Sequence, residues 1–188
     1  MIALVFAALL AAPRAPRPLP ADRPAQAQPA LSDADLQRRV NTYLDVIDRP
    51  IPPARWQALG ERAAPLLEAV IADENEFPAR RAMAVDGLAA VAPARAQKLL
   101  GKMARDETQP AVVRVAAVQQ TAALLPADQA ARELTPVLHT ARSAGMRAAA
   151  AEALSQKGGA CAEIRDQAAR EKLEHRAAFG RALKRCGE

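Results

Sequence analysis

From about residue 32 to the C terminus, apolar positions in this chain recur at intervals of three and four, and no window alternates with a period of two. That spacing belongs to helices that each turn one apolar stripe inward, and it argues against strands. Punctuation sets their limits. Ser32-Asp33-Ala34-Asp35 has capping-box spacing and opens a helix to about Asp48. Arg49-Pro50-Ile51-Pro52-Pro53 is a stiff turn, followed by a short helix from Trp56 to about Arg62 and another from Pro65 to Asp73. Pairs then follow: Pro78–Val91 with Ala94–Arg105, Ala111–Leu125 with Ala127–Ala141, and Ala144–Gln156 with Cys161–Lys172, before a last helix over Leu173–Cys186.

The pairs repeat. Arg81, Arg114 and Arg147 stand thirty-three residues apart, each opening an Ala-rich run, and Arg176 follows at a shortened spacing. Asp73, Asp106 and His139 keep the same period eight residues earlier, and Pro93 and Pro126 share it. Proline at a helix start loses no hydrogen bond, so these prolines mark beginnings. A fixed period of this length signals stacked units. On a helical wheel Arg81, Ala82, Val85, Leu88 and Ala89 form the inward stripe, with Val115, Val118 and Ala122 in equivalent slots. The opposite side carries Met83, Gly87 and Ala90, then Ala116, Gln120 and Ala123, then Ala149, Ala153 and Gln156, then Ala178, Ala182 and Arg185.

The stretch from Pro65 to Asp73, its acidic turn, and Arg81 with the Ala-rich helix to Leu88 together resemble a HEAT repeat, and the likeness extends over roughly residues 62–187. The resemblance implies an all-α fold, a right-handed α-solenoid of about four to five antiparallel helix pairs over residues 31–188. It also implies a structural ladder of turn aspartate and early arginine: Asp73 with Arg81, Asp106 with Arg114. His139 takes the aspartate slot before Arg147, so that ladder is incomplete. In HEAT-like stacks the second helices line the concave face, which here would be smooth and small-residue. The face marked by Met83, Gln120, Gln156 and Arg185 is thus the expected seat of a helix or extended segment of another protein. Tight helix contacts that leave no groove are the competing reading of the same alanines. A lyase- or chaperone-type regulatory HEAT protein and a purely structural envelope protein are the alternative roles.

The N-terminal thirty residues differ in kind. Ile2–Ala12 is an apolar run ended by Pro13, too short to span a bilayer and signal-peptide-like, although no Lys or Arg precedes it. The Pro-rich stretch up to residue 30 reads as a disordered linker. Cys161 and Cys186 fall where the two ends of an antiparallel hairpin meet, so a disulfide fits. Together these features point to a periplasmic or secreted protein; two free thiols in a cytoplasmic chain are the alternative.

Composition removes further classes. Apolar residues make up 51% but aromatic residues only 3%, with alanine supplying the difference. The net charge is +5; three arginines and one aspartate lie in residues 1–30, so the remainder carries +3. Acidic and basic residues are interspersed, without the basic stripe and stacking aromatics that nucleic acid requires. Glu174-His175 is the sole adjacent acid–histidine pair, and Gly158-Gly159 reads as a turn between helices rather than a phosphate loop. The repeated His-Glu pairs of HEAT-like iron hydroxylases are missing. The expectation is a non-enzymatic, monomeric, protein-binding scaffold with no catalytic residue, cofactor, metal or stable membrane span.

Overall fold

The computed structural model describes residues 31–46 and 49–187, so the signal-like run and Pro-rich linker at 1–30 lie outside the described residues. Those described form helices and no strand: α1 (Asp33–Leu44), α2 (Pro53–Gln57), α3 (Ala64–Ala72), α4 (Pro78–Val91), α5 (Pro93–Arg105), α6 (Ala111–Leu124), α7 (Ala127–Thr140), α8 (Ala144–Gln156), α9 (Cys161–Arg170), α10 (Leu173–Arg176) and α11 (Gly180–Arg185).

Helix starts follow the local chemistry. Ser32 Oγ accepts the Asp35 N–H at 3.1 Å and caps α1. Proline occupies the first turn of α2, α3, α4 and α5. Two expected helices are broken. The one over Trp56–Arg62 stops at Gln57; Gly60 takes a left-handed φ of 71°, and the chain re-enters α3 through a 3-10 turn at Glu61–Ala63. The last is split by a 3-10 turn at Ala177–Phe179, which carries Phe179 fully into the core.

Helix α4 packs on α2, α3, α5 and α6; α6 packs on α5, α7 and α8; α8 packs on α7, α9 and α11. Helices pressed from several sides bury more than one stripe: α6 hides Val113, Arg114, Ala116, Ala117, Val118, Thr121 and Ala122. The flanking α5 hides only Ala96, Leu100, Gly101 and Ala104. Small side chains make such approaches possible. At Gly87 a Cβ would stand 3.0 Å from Trp56 and 3.1 Å from Leu67, nearer than a methyl group sits comfortably. Trp56 is only 2% exposed and meets Tyr43 edge-on at 5.1 Å. The aromatic pair therefore seals the N-terminal end of the core.

The other end is stapled. Cys161 opens α9, Cys186 caps α11, and the two are joined in a disulfide with their Cα atoms 5.5 Å apart. The paired substitution Cys161→Ser with Cys186→Ser should remove about 3 kcal/mol, the loop-closure contribution for a link of this span. Hydrogen exchange should quicken in α9 to α11 while α4 and α6 keep their protection. Equal quickening in α4 would show that the staple does not act locally.

Candidate functional site

Each repeated arginine closes the end of the helix before it. A helix leaves its last carbonyls without intrahelical partners, and the arginines supply donors to them. Arg81 Nε donates to Ile71 O at 3.0 Å at the end of α3, and Arg114 Nε donates to Ala104 O at 3.2 Å at the end of α5. Arg147 Nη1 donates to Ala141 O at 2.7 Å just past α7, and Arg176 Nη2 donates to Ala169 O at 2.9 Å in α9. Arg81 and Arg114 are each 4% exposed, and a cation at a helix C terminus also suits the helix dipole.

The rest of each guanidinium reaches a different partner. Arg81 Nη2 donates to Gln109 Oε1 at 2.7 Å, in the turn of the following unit. Arg114 grips both Glu107 oxygens at 2.8 Å, and Glu107 also accepts the Arg142 N–H at 3.4 Å. Arg147 grips Glu171, with Nη2 to Oε2 at 2.6 Å. The expected Asp–Arg rungs are therefore corrected: Asp73 and Asp106 turn into their own loops. Asp73 Oδ1 accepts the Asn75 N–H at 2.9 Å, and Asp106 Oδ1 accepts from the Thr108 N–H and hydroxyl at 3.0 and 2.6 Å. His139 joins a longer chain. Gln167 Nε2 donates to Glu171 at 2.9 Å, so its Oε1 is left to accept from His139 Nδ1, 3.0 Å away. Sequence reasoning missed Gln109 and Glu171, though each stands five residues before a repeated arginine, Arg114 and Arg176.

The Arg147 guanidinium, outweighing burial and aided by Gln167, lowers the Glu171 carboxyl from 4.5 to about 2. Hydrogen bonds from Arg114 likewise hold Glu107 below its ordinary range, as those of the Thr108 hydroxyl and amide do Asp106.

On the far side of α4, α6 and α8 the expected smooth groove is not what stands there. Gly87, Ala116, Ala153 and Ala182 are buried in helix contacts; Met83, Gln120 and Ala149 are half-buried; only Gln156 and Arg185 of the marked four are exposed. Two hollows remain. One, of 360 Å³, lies among Val115, Gln119, Ala149, Glu152, Gln156 and Arg181. The other, of 330 Å³, lies among Ile51, Trp56, Asp86, Ala90, Gln120 and Leu124. Their acids, Asp86 and Glu152, share one slot two thirty-three-residue periods apart, with Gln119 between them, a signal present in the sequence but not used. Burial pushes the Asp86 carboxyl up, only partly offset by the Gln120 amide. Burial pushes Glu152 the same way, but Arg185 and Arg181 outweigh it and the net shift is down.

A larger hollow of 590 Å³ opens between α3 and α5, floored by Ile71, Leu99 and Met103. Its charged lining is partly paired internally, Glu68 with Arg95 and Arg81 with Gln109. Among the described residues no group of three His, Cys, Asp or Glu stands placed to hold a metal ion, and no helix is long and apolar enough to cross a membrane. No family model matches this chain, and neither curated proteins nor solved structures yield a match.

The Glu171 pair makes a pH prediction. Its folded-state pKa of about 2 lies below the ordinary 4.5, so its contribution is present above pH 4.5 and is lost as pH falls toward 2. Thermal unfolding between neutral pH and pH 2 should show this loss, and Glu171→Gln should flatten that slope while costing roughly 3 kcal/mol at neutral pH. An unchanged acid slope in the variant would remove Glu171 from the forces holding the C-terminal units.

Proposed function

We propose that this chain is a HEAT-like, right-handed α-solenoid of about four to five helix pairs, a non-enzymatic monomeric scaffold that binds a segment of another protein along the second-helix face. The serial packing of α4 on α6, α6 on α8 and α8 on α11, with α5, α7 and α9 alongside, supports the stacked-hairpin reading. The observation that carries the function is the row of half-buried and exposed polar side chains, Asp86, Gln119, Gln120 and Glu152, running along one face between two hollows. Apolar walls with a few convergent polar groups suit an inserted side chain, and two hollows on one face suit a segment long enough to span them. The Cys161–Cys186 link is compatible with an oxidising compartment and favours the periplasm or the exterior.

The test is a library of helical and extended peptides presented to the full chain, with hydrogen exchange locating the bound segment. Protection should fall on α4, α6 and α8. Ala149→Leu, which narrows the hollow beside Glu152, should weaken binding by roughly tenfold, as for truncated or blocked interface pockets. Protection confined to α5 and α7, or selective retention of nucleic acid instead of peptide, would sink the proposal.

A further inference from the structure

We infer that the hollow at Asp86 is a specificity pocket for one cationic side chain, lysine or arginine, of the segment that lies on this face. The inference rests on the scaffold reading above and adds the chemistry of the partner. Asp86 and Glu152 occupy the same slot of their units, and both are half-buried. At Glu152 the chain supplies its own cations: Arg185 Nη1 pairs with Oε1, and Arg181 Nε stands 3.4 Å from Oε2. At Asp86 the next unit offers a neutral group, Gln120, whose Nε2 donates to Oδ1 at 2.8 Å. Among the described residues no Arg, Lys or His side chain forms an ion pair with Asp86. Around this carboxylate the walls are Ile51, Trp56, Ala89, Ala90 and Leu124. A lysine or arginine stem is apolar and its head is charged, so the one fits the walls and the other the carboxylate. A free diamine has the same chemistry. The peptide source is favoured because the two hollows border α6 at adjacent residues, Gln120 at the Asp86 hollow and Gln119 at the Glu152 hollow, a continuity that suits a chain rather than a free diamine.

The probes are Nα-acetyl-lysine methylamide, Nα-acetyl-arginine methylamide, the norleucine analogue and putrescine, each titrated into the full chain and followed by amide resonances. The lysine or arginine probe should shift Gly87 and Gln120 and should bind at least about tenfold more tightly than norleucine, the scale of a desolvated charge pair. Asp86→Asn should lose that preference while keeping its fold, since the Asn amide oxygen can still accept from Gln120; an unfolding temperature at or above that of the parent verifies this. Equal binding of norleucine, undiminished binding to Asp86→Asn, or no shift with any probe overturns the pocket. Tighter binding of putrescine than of either amino-acid probe overturns the peptide source. Peptide protection of α4, α6 and α8 that is indifferent to the peptide's cations removes the pocket and leaves the scaffold. Cation binding at Asp86 without any peptide protection removes the scaffold and leaves the pocket.

Discussion

The interaction on which the rest depends is a buried guanidinium spending its donors on helix ends. Hiding an arginine costs several kcal/mol unless its donors find acceptors, and an uncapped buried helix end carries a cost of its own. Placing Arg81 against the Ile71 carbonyl removes both at once, and its remaining donors reach Gln109 in the next unit. One side chain thereby fixes the end of α3, its own α4, and the turn that launches α6. Arg147 does the same for the end of α7 through the carboxylate Glu171, while Arg114 joins the end of α5 to Glu107 in its own turn. A carbonyl at the negative end of α3 also offsets the charge left beside Gln109.

With the hairpins held at their turns, packing can be done with small residues. Alanine and Gly87 let α4 lie against α2, α3, α5 and α6 together, so burial wraps around the helix and does not stop at one stripe. That has a consequence for the outer face. Residues that a one-sided helix would expose, such as Ala116 and Ala153, are consumed by helix contacts, and hollows with polar edges lie between the second helices.

The parts legible in the sequence are those governed by local rules. The prolines that begin helices, the thirty-three-residue period, and the cysteines at the ends of the last hairpin could be read because each rests on backbone chemistry or simple spacing. The two helix breaks could not: a glycine such as Gly60 permits a left-handed turn without requiring one, and the 3-10 turn before Gly180 is set by where Phe179 finds the core. Ladder partners were hidden for another reason. The acceptor keeps no fixed spacing, Gln109 lying 28 residues after Arg81, Glu107 7 before Arg114 and Glu171 24 after Arg147, while the eye-catching Asp73 and Asp106 satisfy their own turns. The wheel misjudged the outer face because it treats a helix as having one buried side, which fails for α4, α6 and α8. Asp86 and Glu152 were visible as a period, but a carboxylate gains meaning only once its burial and its cation are known.

The contrast between those two acids has a structural origin. The last repeat is shorter because α9 has 10 residues where α5 has 13 and α7 has 14. The final helix, α11, sets Arg181 and Arg185 over Glu152, while α6 sets Gln120 over Asp86. Both slots hold a carboxylate partly withdrawn from water, yet among the described residues only Glu152 meets a cation. For folding alone, an asparagine at Asp86 would serve better, since it keeps the Gln120 contact and has no charge to desolvate. A charge that lowers the stability of the isolated chain is offset only in a state where a cation stands against it, and among the described residues none forms an ion pair with Asp86.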